Sequence, residues 1–590
     1  MPEKELNYIA SREAAENSSY EKEGGVEVGI LPFQNDKPKL PFFERFVDSF
    51  RRYEAEELNL DPNLTEIEKT AIITANTPLS RALKNRHLQM IAIGGAIGTG
   101  LFVGSGSRLH TGGPAGVLIG YFLIGTMIYA TCQALGELAV TFPVAGAFVT
   151  YNTRFIDPSW GFAMAWNYAM GWLITLPLEL VAASLTVDYW NSTENPAAFV
   201  CIFYVVICAI NFFGAKGYGE AEFVFSIIKV IAIVGFIIFG IVIICGGGPN
   251  HEYLGARYYY HPGAFANGFK GVCSVFVSAA FAFGGTELAG LAAAETQNPR
   301  KSLPKATKQV FWRITLFYII SLLLVGLLVP YDDKRLTEGT SSADARASPF
   351  VLAIVDAGIH GLPSVMNVVI MISVCSVGNS AVYASSRTLA ALAACNQAPK
   401  IFNYIDKKGR PIFGVIVTCL IGALCFLVAA RNQDAVFSWM SALSGLSSLF
   451  TWGSICFCHI RFRYALKVQG RTTEELAYTA QAGVWGSYYG VGLVILVLIA
   501  QFYIALFPIG GEPNASDFFQ SYLSFPIILV FYGAHKLWTR NWTLYVRARD
   551  IDLDTGRREL DLDVLKQELL EEKEILAGKP FYKRWWHFWC

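Results

Sequence analysis

The sequence predicts an all-α polytopic membrane protein with twelve transmembrane helices, and three observations carry that expectation. Hydrophobic residues make up 53% of the 590 and charged residues only 16%, against about 25% charge in ordinary soluble domains. Mean hydropathy is +0.39, and apolar runs of roughly 20 residues, the length that crosses a bilayer, recur along the chain. These runs are continuous rather than alternating, which favours helices over barrel strands. The formal net charge of +0 leaves no basic excess to neutralise phosphate, so nucleic acid is excluded as a partner. The twelve cysteines show no metal-ligand spacing: Cys456 and Cys458 sit together in an apolar run, and no second pair answers them.

In chain order, residues 1–86 are polar, rich in Glu, Lys and Ser, and have no apolar signal core. They read as a cytosolic tail, with the first apolar helix serving as the targeting signal. Apolar segments follow at 88–108, 114–141, 160–189, 197–214, 221–247, 270–295, 310–330, 363–394, 411–430, 433–459, 484–508 and 518–538. A shorter apolar stretch at 350–360 suggests a surface helix. The expected organisation is a tail to 86, a transporter domain over 87–540 and a second cytosolic tail over 541–590. Loop cations set the orientation. With the N-terminus inside, the inner loops carry Arg154, Lys216, Arg300, Lys301, Lys305, Lys308, Lys400, Lys407, Lys408, Arg410, Arg461, Arg463, Lys467 and Arg471. The outer loops hold fewer: Arg108, Arg257, Lys270, Lys334, Arg335, Arg346 and Arg431. Both termini are then cytoplasmic, and of the glycosylation sequons only those at Asn191 and Asn514 face outward. In the last tail Leu560, Leu562, Leu565, Leu569 and Leu570 recur at near-helical spacing, which predicts an amphipathic helix. The aromatic and basic ending Phe581–Cys590 suits a lipid headgroup layer.

Two segments are crowded with glycine where a plain span would use leucine. One runs Ile93-Gly-Gly-Ala-Ile-Gly-Thr-Gly-Leu-Phe102, the other Phe281-Ala-Phe-Gly-Gly-Thr-Glu-Leu-Ala-Gly290. Each glycine costs about 1 kcal/mol against alanine in a helix, so both are places for a helix to unwind. Unwound backbone cannot face lipid and must line a cavity or meet a ligand. A half-helix starting at Gly98–Gly100 presents free N–H groups and a positive dipole end to a carboxylate, and carbonyls near Phe281–Gly284 suit an ammonium. The alternative is that the glycines only let helices pack closely, since Gly94 and Gly98 form a small-xxx-small pair. Placement favours the site, because one segment opens the first five spans and the other the second five.

Ionisable residues inside spans are expensive and usually functional. Lys229, Glu179, Glu287 and Glu137 qualify, structural pairing being the alternative for each. Lys229, Glu287 and Glu179 are the candidates for carrying a coupled proton, while Glu222 sits at a span boundary and reads as solvated.

At these residues a resemblance becomes specific. Lys84-Asn-Arg-His-Leu-Gln-Met-Ile-Ala-Ile-Gly-Gly-Ala-Ile-Gly-Thr-Gly-Leu-Phe102, Phe281 to Gly290, and Asn298-Pro-Arg-Lys-Ser-Leu-Pro-Lys-Ala306 resemble the fungal amino-acid permeases of the amino acid–polyamine–organocation superfamily. Ala442-Leu-Ser-Gly-Leu-Ser-Ser-Leu-Phe450 and the Phe-Trp-Cys ending are most similar to its broad-range members. The resemblance implies a five-plus-five inverted repeat with helices 1 and 6 broken, plus two extra helices. It implies proton-coupled uptake of free amino acids at the plasma membrane by alternating access, with no cofactor beyond the co-transported proton. It places the substrate carboxylate on Ile97, Gly98, Thr99 and Gly100, and the amino group on Phe281, Ala282, Phe283 and Gly284, with Phe281 also an aromatic gate. Lys229 matches a lysine that stands in for a sodium ion in related proton-driven members. Gly171 and Ser444 fall where members differ in side-chain choice, and Glu179 lies beside that pocket. Lys4 and Lys22 resemble ubiquitin acceptors and Cys590 a palmitoylated cysteine. Ubiquitin-ligase machinery, an ER packaging chaperone and traffic through endosome and vacuole are implied with them. A nutrient sensor on the same fold is the competing reading. A membrane enzyme has little support, because no nucleophile–base pair or metal motif appears.

Overall fold

The computed structural model describes residues 79–190 apart from 96, 194–297 apart from 250, 299–336, 347–429 and 433–557, with shorter pieces before and after. Lys4, Lys22, Cys590, the Asn191 sequon and the leucine repeat from Leu560 lie outside the described residues. The chain divides after Ser49 into two units, Met1–Ser49 and Phe50–Cys590, and every helix below belongs to the second.

All twelve expected segments are helical. The first crossing is interrupted: α1 (Asn85–Gly94) is followed by a break and a short turn, Thr99–Phe102, that leads into α2 (Gly104–Thr141). Within α2 the chain turns a corner at Gly113, whose φ of 72° requires glycine; a Cβ there would also lie 2.7 Å from the Ala264 carbonyl. Pro114 follows and can only begin the next helix. Next come α3 (Phe148–Phe155), α4 (Pro158–Val187), α5 (Pro196–Phe212) and α6 (Gly214–Ile244). Asp157 starts α4 by accepting from the Ser159 and Trp160 amides at 3.1 Å, with Pro158 at the first helical position. The sixth crossing is α7 (Gly268–Phe283), a break, and α8 (Leu288–Leu291). The seventh is α9 (Pro299–Trp312), a widened π-type stretch at Arg313–Ile320, and α10 (Ser321–Leu328). The remainder are α11 (Pro349–Asp356), α12 (Leu362–Ala394), α13 (Ile412–Gly422), α14 (Gln433–Val468), α15 (Gly483–Leu506), α16 (Ala515–Tyr522) and α17 (Ser524–Thr539).

Among the described residues eight helices are long and apolar enough to cross a membrane. The others fall short in length for visible reasons. The first crossing is cut by its glycines, α13 tightens to a 3-10 helix over Ala423–Ala429, and α5 and α17 are 17 and 16 residues long. Packing follows a five-helix offset. The α1–α6 contact is matched by α7–α14, α1–α9 by α7–α2, and α6–α12 by α14–α4, while α4 and α12 pair with each other. That is the pattern two repeats of five would make.

The stretch at 350–360 differs from expectation. It forms α11, but Phe350 to Ile354 are buried rather than at the surface. Phe350 packs edge-on to Phe102 at 5.2 Å and against Phe236 at 4.7 Å, and the Ser348 hydroxyl donates to the Phe102 carbonyl at 2.6 Å. This short helix therefore covers the second half of the first crossing.

After α17 the chain returns as a strap. The Val546 amide donates to Ile156 O at 2.8 Å, the Gln469 side chain donates to Ile551 O at 2.8 Å, and Arg471 pairs with Asp554 at 2.7 Å.

Candidate functional site

Each break has a local cause. At the first, Gly98 adopts an extended conformation (φ −154°, ψ −147°) and caps the turn Thr99–Phe102. The amides of Gly98, Thr99 and Gly100 thus start a helix with no preceding turn to bond to. At the second, Gly284 is extended and Gly285 has φ 92°, a conformation other residues avoid. The two breaks face each other almost without side chains between them. A Cβ on Gly100 would sit 2.6 Å from the Ala282 Cα, and one on Gly285 3.4 Å from the Gly95 carbonyl. Close packing, the alternative reading of these glycines, therefore holds together with unwinding; a Cβ on Gly94 would collide with Ser226 Oγ at 2.1 Å.

A cavity opens where the breaks meet. Gly98, Thr99, Gly100, Phe281, Gly284, Gly171, Glu179 and Ser444 all line it. Ile97, Ala282 and Phe283, expected beside them, are buried behind the wall. The Ala282 carbonyl accepts from the Tyr318 hydroxyl at 2.7 Å, and the Phe283 ring lies 4.1 Å from that of Tyr318. The Phe283 carbonyl takes both the hydroxyl and the amide of Thr286, at 2.6 and 3.3 Å. The Phe281 carbonyl accepts from the Gly284 amide at 3.1 Å, which leaves one lone pair. Tyr168, Trp172, Thr175, Val377, Ser447 and Ser448 complete the lining. Thr175 and Ser444 hydroxyls are 2.9 Å apart, and Thr99 donates to the Glu179 carboxylate at 2.5 Å. The lining thus combines helix-start amides, hydroxyls, a main-chain carbonyl and the Glu179 carboxylate, the last beside Thr99.

The other ionisable candidates do not line this cavity. Lys229 reaches the first break from α6, donating to Gly94 O at 2.8 Å and Ser376 Oγ at 2.6 Å. Glu222, expected to be solvated, is fully buried. It accepts from the Ser376 hydroxyl at 2.7 Å and lies 3.6 Å from Lys229 Nζ. Its position was misread because a boundary judged by hydropathy ignores the face: 222, 226 and 229 are spaced i, i+4, i+7 and share one side of α6. Glu287 is held by Trp452 Nε1 at 3.1 Å and the Tyr168 hydroxyl at 3.3 Å. Glu137 is a structural partner, bound by Arg463 Nε at 2.6 Å and the Ala480 amide at 2.7 Å. Arg313 joins the site without having been among the expected residues, although a cation at the head of an apolar run is itself a signal. From the seventh crossing it donates to Ala92 O at 2.5 Å and to the Thr286 hydroxyl, tying the two breaks together. Arg108, assigned to an outer loop, lies inside α2.

Glu295, just past α8, pairs with Arg387 of α12 at 3.1 Å and accepts from Tyr383 at 2.8 Å, and the Tyr383 ring stacks on Tyr218 at 4.1 Å.

Crossings packed in two repeats around a chamber between facing breaks define a membrane carrier for a small polar solute. The family model for amino acid permeases matches residues 87–547. The chain is 66% identical to General amino-acid permease GAP2 of Candida albicans over 100% of both chains. It is 60% identical to General amino-acid permease GAP1 of Saccharomyces cerevisiae, over 93% of this chain and 92% of that one. Against the histidine permease of Saccharomyces cerevisiae it is 51% identical, with 87% and 86% covered. The chain belongs to the amino acid permease family, and it is a multi-pass membrane protein that transports amino acids.

Proposed function

We propose that this protein takes up a broad range of amino acids together with protons across the plasma membrane by alternating access. The observation that carries the reading is the cavity shared by both breaks, lined by Gly98, Thr99 and Gly100 of the first and by Phe281 and Gly284 of the second. The α-carboxylate rests on the amides of Gly98, Thr99 and Gly100, where the helix start favours an anion. The ammonium lies toward the Phe281 carbonyl, Gly284 and the Glu179 carboxylate. Ile97, Ala282 and Phe283 hold that backbone from behind, and Phe281 closes over the substrate. Gly171 and Ser444 bear little bulk, which supports a wide choice of side chains. The proton resides on the Lys229–Ser376–Glu222 chain, with Glu179 and Glu287 as the further carboxylates able to take part.

In this reading residues 1–86 and 541–590 are cytoplasmic tails around a transporter domain at 87–540. Ubiquitin-ligase machinery acts on Lys4 and Lys22, palmitate is attached at Cys590, and an ER packaging chaperone delivers the protein; these parts rest on the family alone. The test is uptake of one labelled amino acid by cells lacking their own permeases, with each common amino acid as competitor, with and without a protonophore. Broad competition and collapse of accumulation with the protonophore are expected. Accumulation that survives the protonophore removes the proton, and a surface-delivered protein with no uptake turns the reading toward a sensor.

A further inference from the structure

The cavity does not end at Phe281. On the other side of that ring a second chamber of about 400 Å³ shares Phe281, Thr99 and Gly100 with the first and contains Arg108, Ser107, Ser278 and Ser441. Along the first crossing it lies on the Gly113 side of Thr99, at Gly104, Ser107 and Arg108. Arg108 stands nine residues beyond Thr99 along the first crossing, roughly 13 Å at helical rise. Its guanidinium makes one long contact, from Nη1 to Ser274 O at 3.4 Å, and its buried Nε finds no acceptor among the described residues. Among the described residues of the chamber lining Arg108 is the one that carries a charge.

A cation held this way is costly when left unpaired. A guanidinium fork beside hydroxyls is the arrangement that fits a carboxylate in two-pronged fashion. The first chamber offers the same chemical group its amides. A carboxylate leaving Arg108 would therefore find its next partners along the same crossing, with Phe281 the barrier between the two positions.

We infer that the Arg108 chamber is a second binding site, which captures the α-carboxylate of a free amino acid before Phe281 admits it to the cavity between the breaks. This rests on reading that cavity as the transport site. The two positions act in sequence, and occupation of the Arg108 site raises the local supply to the inner one.

The test is equilibrium binding of labelled leucine to the purified full-length protein, read as molecules bound per chain, with uptake measured in parallel. The wild type binds two, one tightly and one weakly. R108Q binds one and shows a KM for uptake about tenfold higher, equivalent to about 1.4 kcal/mol. R108K, which keeps the charge but not the fork, keeps the second molecule more weakly. Leucinamide, which lacks the carboxylate, fails to displace the weakly bound leucine, whereas acetate in excess displaces it. One leucine per chain in the wild type, or two in R108Q, overturns the inference. If the wild type still accumulates leucine in cells in that case, only the second site falls. If it accumulates none, the transport reading falls with it.

Discussion

Lys229 is the residue on which the proposed coupling turns, because its ammonium touches the backbone of the first break and, through one hydroxyl, a buried carboxylate. Replacing it with methionine is expected to abolish uphill accumulation while leaving exchange of substrate across the membrane. Reconstituted vesicles with and without an imposed proton gradient separate the two. The single variant also strands Glu222, and breaking a buried pair costs about 3–5 kcal/mol. The double variant Lys229→Met with Glu222→Gln is therefore expected to melt higher than Lys229→Met alone; equal melting points would show that the two charges do not interact. Gly98 makes a second residue-scale case. A Cβ there would lie 2.5 Å from Val377 Cγ2, so Gly98→Leu must displace α12 or fill the cavity. Loss of amino-acid binding by at least a hundredfold, with the protein still delivered to the surface, is the expected outcome.

At the scale of elements, what the sequence made legible was the backbone. Glycine runs announced both breaks, and continuous apolar stretches announced the helices, because bilayer thickness and unpaired amides constrain those strongly. Eight expected site residues came together in one cavity, since they lie on the unwound backbone itself or on small residues facing it. What stayed illegible was pairing between distant elements. Glu222 with Ser376 of α12, Arg313 with the two breaks, and Phe350 against Phe102 each depend on which face meets which, information that no local window holds. The strap after α17 belongs to the same group. Burial opposes ionisation of Asp552, but the Thr555 and Asp554 amides, each at 2.9 Å, and the nearby Arg154 outweigh it and hold the carboxyl below its ordinary range. Glu475 is likewise held low, against its burial, by Arg557 and Arg471. A carboxyl with a lowered folded value stabilises above its free value, about 4, and that contribution is lost as pH falls through the lower one. Hydrogen exchange in detergent should therefore show residues 546–557 protected at neutral pH and released below about pH 4. Asp552→Asn should show the release already at neutral pH, and protection unchanged by either treatment would remove these carboxyls as its anchors.

For the whole molecule, the proposed alternating access needs a gate, and the candidate is the Glu295–Arg387 pair with the stacked Tyr218 and Tyr383 rings, which ties the end of the sixth crossing to α12. Glu295→Gln leaves the arginine without its counter-charge and should favour the form open at that end. Amide exchange in residues 288–295 and 383–394 is expected to rise at least tenfold, with slower recovery of the closed form and weaker retention of bound substrate. Exchange identical to the wild type would place the gate elsewhere.

The bare approach of Gly100 to Ala282 has an engineering consequence. Where main chain lies that close to main chain a new side chain has no room, and Gly285 is barred from one by its φ of 92°. Tailoring the protein to a new cargo would therefore proceed on the facing wall, at Thr175 and Ser444, since a Cβ on Gly171 would first meet Ser447 Oγ at 2.8 Å.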